Sequence, residues 1–272
     1  SSTRPGLYTS LQLTGKLKDK EHAEVTLKVN PGRYQMEEEQ PISSLAFKGG
    51  AIKAQLSPKA LVGQGSIAID EQKKLDIHFV LPAFHLLQGL KEDQSFSSSL
   101  NLEISSLDFL KALNPELQNP KGRLTASLKS YGTFKKSILK SSIALKHASV
   151  TLPTLGLTLD SIDATFKGAH NRWEGAGTIS SGTQILRLKG EGQLQPELTS
   201  TLWLEGSDFP VVNTNEYLVK ISPHLKMSFN KNILNLSGDI LVPSAQIKIN
   251  SFSNSVGLSS DVIFESKEKP AT

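Results

Sequence analysis

Strict alternation of apolar and polar residues runs through most of this chain and leaves few folds open to it. Val25, Leu27 and Val29 alternate with Thr26 and Lys28. Leu75, Ile77 and Phe79 alternate with Asp76 and His78, and Leu100, Leu102 and Ile104 with Asn101 and Glu103. The same period recurs in Leu124–Leu128, Ile143–Leu145, Leu155–Leu159, Ile162–Phe166, Leu225–Phe229 and Ile247–Ile249. Successive side chains of a strand point to opposite faces, so a period of two means strands with one apolar and one polar face. A parallel α/β sheet would show continuous apolar runs with helices between them, and such helices are missing. The expectation is an all-β chain of roughly seventeen strands separated by turn signals.

Those signals are Asn30-Pro31-Gly32, Gly49-Gly50, Gly168 to Asn171 and Ser180-Ser181-Gly182. Two segments break the rhythm. Leu107, Leu110 and Leu113 have helical spacing, ended by Pro115, and Phe84–Leu90 reads as a second helical turn. Each suits a short cap or plug against the sheet. Glu37-Glu38-Glu39 reads as a solvated loop, and Gly63-Gln64-Gly65 as a glycine turn or bulge rather than a dinucleotide loop, since strand residues follow it. Strands ending in Lys-Gly or Glu-Gly recur (Phe166-Lys167-Gly168, Leu188-Lys189-Gly190, Leu204-Glu205-Gly206) and suggest stacked hairpins. Domain organisation is read as one elongated segment over 1–265 and a loose charged tail over 266–272.

Composition narrows the chemistry. With 272 residues the chain is long enough to bury a core, and with 6% aromatics that core is aliphatic. A net charge of +4 comes from single lysines on strand faces, not from Arg clusters with aromatic platforms, so no nucleic-acid footprint is present. Weak attraction to anionic lipid headgroups remains open. There is no cysteine, hence no disulfide framework or thiolate metal site. The six histidines (His22, His78, His85, His147, His170, His224) have no metal-ligand spacing. No nucleophile elbow occurs, and the scattered carboxylates form no recognisable pair. The expectation is therefore no enzyme, no metal and no cofactor. No apolar run is long enough to span a bilayer, and Ser1-Ser2-Thr3-Arg4-Pro5 has no apolar signal core.

A sheet this long must cover its apolar face. It can pair with a second sheet, close into a barrel, or fold into a trough that holds something apolar. Composition alone favours the sandwich, the commoner solution, and leaves the barrel and the trough open.

A set of ordered segments bears on the choice. They are Leu110-Lys111-Ala112-Leu113-Asn114-Pro115-Glu116-Leu117 followed by Lys121-Gly122-Arg123-Leu124; Val150-Thr151-Leu152-Pro153-Thr154-Leu155-Gly156-Leu157; Phe209-Pro210-Val211-Val212-Asn213-Thr214; Ser222-Pro223-His224-Leu225; Leu236-Ser237-Gly238; and Val242-Pro243-Ser244-Ala245-Gln246-Ile247, with Ser255-Val256 and Ser259-Ser260-Asp261-Val262 downstream. In order and spacing the stretch from Leu107 to Phe264 resembles the TamB family (translocation and assembly module, AsmA-like superfamily). The match is to the segment just before that family's C-terminal domain, while the first hundred residues match in style only.

The resemblance implies a curved antiparallel sheet forming an open apolar groove, a "β-taco". It implies a periplasmic piece of a protein anchored in the inner membrane of a Gram-negative bacterium by an N-terminal helix absent from this chain. It also implies a TamA-like outer-membrane partner, met through a C-terminal domain likewise absent, and a role in moving phospholipid or assembling outer-membrane proteins. Roughly seventeen strands at ~4.8 Å spacing would line a groove near ~80 Å long. The groove-facing candidates are Leu157, Leu159, Ile162, Phe166, Leu225, Met227, Phe229, Leu236, Ile240, Val242, Ile247 and Ile249, each of which could equally be ordinary core. Trp173 and Trp203 are read as core or rim. The alternative function is a scaffold that offers a sheet edge to incoming outer-membrane strands.

Overall fold

The computed structural model describes residues 6–35, 44–193, 197–230 and 233–247. The acidic run 37–39, Ile249, the first five residues and the tail 266–272 lie outside these residues. In chain order the strands are β1 (Gly6–Tyr8), β2 (Leu11–Leu17), β3 (Ala23–Val29), β4 (Gly32–Gln35), β5 (Ser44–Phe47), β6 (Gly49–Leu56), β7 (Ala60–Ala68), β8 (Lys73–Pro82) and β9 (Ser95–Ile104). A short helix, α1 (Leu110–Leu113), precedes β10 (Gln118–Thr133) and β11 (Ser137–Leu152), and a 3-10 turn (Pro153–Leu155) leads into β12 (Leu157–Ala169). Then come β13 (Arg172–Ser181), β14 (Gln184–Gln193), β15 (Thr199–Gly206), β16 (Phe209–Asn213), β17 (Tyr217–Asn230) and β18 (Ile233–Ile247).

Fifteen of these strands form one antiparallel sheet, laid down almost entirely as neighbouring hairpins. The exceptions are β3 and β6, which pair although β4 and β5 lie between them in the chain, and β17. One edge of β17 pairs with β18 along its length, and the other is shared by β15 (from His224 onward) and β16 (up to Ile221). The end strands β2 and β18 do not pair with each other, so the sheet is an open ribbon, not a barrel. The expected all-β architecture of about seventeen strands is what the chain forms.

β1, β4 and β5 make a second, three-stranded sheet in the same order as β2, β3 and β6, to which they are joined in the chain. The small sheet is thus the bent continuation of the end of the large one. The bend falls at Thr9-Ser10, Asn30-Pro31 and Lys48-Gly49. Pro31 has no N–H to give a ladder, and the Thr9 hydroxyl donates instead to the Asn30 carbonyl at 2.8 Å. Gly49 turns the corner with φ +81, where a side chain would collide with the Val29 carbonyl.

Two glycine readings need correction. Gly63 and Gly65 form neither turn nor bulge. They sit in unbroken register within β7, opposite Phe79 and Ile77. Leu188-Lys189-Gly190 does not end a strand but lies inside β14. For Gly63 and Gly190 the reason is the same. A Cβ at Gly63 would overlap the Phe79 ring, one at Gly175 would overlap Phe166, and one at Gly190 or Gly192 would overlap Trp173. Each glycine makes room for an aromatic ring lying across the neighbouring strand. The helical turn expected at Phe84–Leu90 is a single turn that is not continued into a helix, with the Gln88 and Gly89 N–H groups donating to the His85 carbonyl at 3.1 and 3.2 Å.

Gly63→Ala is expected to lower stability by about 1–3 kcal/mol by forcing the Phe79 ring aside. Chemical denaturation of this variant beside Gln64→Ala, a change on the opposite face of the same strand, would check it.

Candidate functional site: one continuous apolar face

Cross-strand partners in an antiparallel sheet share a face, so the register can be followed from one edge to the other. Starting at β2, Leu11 pairs with Val29, which pairs with Gly50, then Ile67, Leu75 and Leu102. The row continues through Ala126, Ile143 and Phe166 to Gly175 and Gly190. It ends with Leu202, Met227 and Leu236 on β18. No polar side chain interrupts it. The adjacent row, one residue along every strand, is of opposite character and includes Lys74, Glu103, Thr165, Lys189 and Lys226.

The sequence-selected residues fall on this map as follows. Leu157, Leu159, Ile162 and Phe166 on β12, and Leu225, Met227 and Phe229 on β17, all lie on the apolar face. So do Leu236 and Ile240, opposite Met227 and Pro223, and Ile247, opposite Tyr217. Val242 lies in the irregularity where β18 shifts register between Lys220 and Ser222. Ile249 is outside the described residues. Leu157 is buried at 5% exposure, whereas Leu236 and Ile247 are 67% and 74% exposed because β18 has no outer neighbour among the described residues.

Sequence reasoning missed much of the face, including Ile77, Phe79, Leu100, Leu102, Leu128, Leu188 and Leu204. The signal was present, since β8, β9 and β10 carry the same alternation. Trp173 packs on the apolar face, tilted against Phe166 at 6.3 Å between centroids. Trp203 belongs to the polar face, paired in register with Lys189 and Lys226.

Among the described residues the face is covered in two places. Between β9 and β10 the chain crosses it as a strap. Leu107, 5% exposed, packs with Ile104 and Ala148, and Phe109 and Leu110 rest against this cluster together with Leu102, Leu124, Leu145 and Ile162. This is the plug that the leucine spacing suggested. Beside it lies a buried ammonium, Lys73, which faces the apolar side opposite Ile104. It is held by the Asp70 carboxylate at 2.5 Å and lies 5.9 Å from the centre of the Phe109 ring. Burial pulls the Asp70 carboxyl up, but the Lys73 hydrogen bond, the Gln72 N–H and the Lys73 charge together pull harder, and the net direction is down.

The second cover is β16. The extension of β12 past the β13–β14 turn meets β16, burying Phe209 and Leu157, and Gly156 (φ +63) sits so close to Asn213 that any side chain would strike its carbonyl.

A bulge in β11 leaves the His147 N–H without a ladder partner. The Asp163 carboxylate accepts it at 3.1 Å and also accepts the Ser161 hydroxyl at 2.8 Å. The His147 bond first and the Ser161 bond second hold this carboxyl below the ordinary aspartate value, against the opposing effect of its burial. Because the folded value is the lower one, the contribution to stability is complete at neutral pH and is lost as pH falls below about 4. Asp163→Asn is expected to give a shallower loss of stability between about pH 5 and 2 in acid-unfolding curves. Leu107→Ala is expected to cost about 2–4 kcal/mol and to raise hydrogen exchange across the strap.

Among the described residues no group of three His, Asp or Glu could hold a metal, and no helix is long and apolar enough to cross a membrane. The geometry therefore defines a class of protein: an open, all-antiparallel β-ribbon with one face apolar from edge to edge. Comparison with known proteins shows what the chain resembles. Residues 174–272 match the TamB C-terminal domain. The chain is also 22% identical over 204 residues, 74% of its length, to the translocation and assembly module subunit TamB of Haemophilus influenzae, of which the match covers 15%. No solved structure matches. The chain is therefore similar to TamB proteins, over residues 174–272 by the family's C-terminal domain and at low identity over most of its length. One expectation is corrected: residues 174–272 are not a segment before the TamB C-terminal domain but match that domain itself.

Proposed function

We propose that the apolar face carries phospholipid acyl chains through the periplasm between the inner and outer membranes, in support of outer-membrane biogenesis. The observation that supports this reading is the unbroken apolar row from Leu11 to Leu236. Transfer of a sixteen-carbon chain through water costs on the order of 12 kcal/mol, at ~0.8 kcal/mol per methylene. A continuous aliphatic surface removes most of that barrier at every step. A face without deep specific pockets suits sliding, since tight stops would slow it. Apolar exposure on this scale in a monomeric protein marks a binding surface. On this reading the face folds into a groove. The described residues named from the sequence that lie on this face are then part of its lining, with Leu157 as packing beside β16.

The H. influenzae relative is described as a subunit of a translocation and assembly module, and the same role is proposed here. An inner-membrane anchor outside this chain and a TamA-like outer-membrane partner belong to the proposal. Since residues 174–272 match the C-terminal domain, contact with such a partner falls to this piece as well.

A second reading, a scaffold that pairs with incoming outer-membrane strands, is favoured by one feature: β18 offers a fifteen-residue outer edge with no strand beside it among the described residues. The two readings separate in mass spectrometry of organic extracts of the purified protein. Co-purified phospholipid that is lost in folded Leu236→Asp supports the conduit. Absence of lipid in both, with binding of outer-membrane strand peptides abolished by Asn235→Pro, supports the scaffold.

A further inference from the structure

A cavity lies on the other side of the ribbon. It has a volume of about 700 Å³ and is bounded mainly by the polar-face residues of β11 to β15, with Ala164, Gly177 and Leu188 of the neighbouring row also touching it, within the size range of small-molecule sites. Register explains why it is there. Thr165, Ala176 and Thr178 are short side chains side by side on β12 and β13, and they form a floor. Long side chains stand on either hand: Lys146 and Asp163 on one, Arg187, Lys189, Trp203 and Glu205 on the other.

We propose that this cavity binds a phosphorylated sugar, either free or as the exposed head of a glycolipid. Arg187 pairs in register with Glu205, yet among the described residues its side chain makes no ion pair or hydrogen bond. An unengaged guanidinium suits bidentate contact with a phosphate. Lys189 sits 5.6 Å from the centre of the Trp203 ring, which adds a second cation and presents an aromatic surface to the C–H face of a sugar ring. The Thr165 and Thr178 hydroxyls have no partner among the described residues and can serve sugar hydroxyls from the floor. Asp163 is already occupied by the His147 N–H and the Ser161 hydroxyl and is not a competing anion for Arg187. Lys146, 3.9 Å from Asp163, completes three cations against two carboxylates. The site is independent of the apolar face and stands or falls separately from the lipid reading.

The test is calorimetric titration of the protein with glucose 6-phosphate, glucose and inorganic phosphate, and flotation with phosphatidylcholine vesicles containing or lacking phosphatidylinositol 4-phosphate. Arg187→Gln and Trp203→Leu, both on the polar face, serve as variants, with circular dichroism to confirm folding. Binding of glucose 6-phosphate that exceeds binding of glucose or phosphate, and that weakens about tenfold or more in Arg187→Gln, supports a free ligand. Capture by the phosphoinositide vesicles alone, lost in both variants, supports a glycolipid head. Binding of neither, equal binding of inorganic phosphate, or binding indifferent to both substitutions overturns the proposal.

Discussion

Everything in this ribbon depends on cross-strand register. A slip of one residue in any hairpin would turn that strand's apolar set to the opposite side and cut the apolar row in two. Register is pinned by short hairpin turns and by size matching across strands. His170 and Asn171 both take positive φ in the two-residue turn between β12 and β13, the arrangement whose twist suits a tight hairpin. Phe79 over Gly63, Phe166 over Gly175 and Trp173 over Gly192 then fix each pairing as a large residue against an absent one. Where register shifts, as in β11 at His147, the released N–H is satisfied by Asp163.

The consequence is a protein with an apolar surface but a small core. Among the described residues the buried hydrophobics are Leu56, Leu81, Ile104, Leu107, Ala148, Leu157 and Phe209, and several of them belong to the two places where the strap and β16 cover the face. A closed sandwich of this length would bury its inner face throughout. Stability here comes mainly from the ladder and from neighbour-to-neighbour packing, the arrangement of a quasi-one-dimensional repeat protein.

Much of this is legible in the residues. The period of two marks the strands, the absence of helical runs marks the antiparallel class, and Leu107, Leu110 and Leu113 mark the strap. Other features are not legible, for physical reasons. Gly63, Gly65 and Gly190 look like breaks because a glycine's meaning in a strand depends on what lies across it, and that is a property of a partner strand. Trp173 and Trp203 look equivalent, yet they sit on opposite faces because strand parity, not residue type, decides direction. The polar-face cavity is hidden for the same reason: Thr165, Ala176, Thr178 and Arg187 are ordinary residues singly and meet only through register. The alternation in β8 to β10 is a different case. It marks strands, and the same parity argument places those strands in the site as well.

That the two tryptophans face opposite ways supplies the most direct test of the central claim, that acyl chains contact one face only. Trp203→Phe and Trp173→Phe each leave a single tryptophan, on the apolar and the polar face respectively. Phospholipid carrying bromine on its acyl chains quenches a tryptophan only at contact. The account predicts strong quenching of Trp173 and none of Trp203. Equal quenching of both, or of neither, would contradict it.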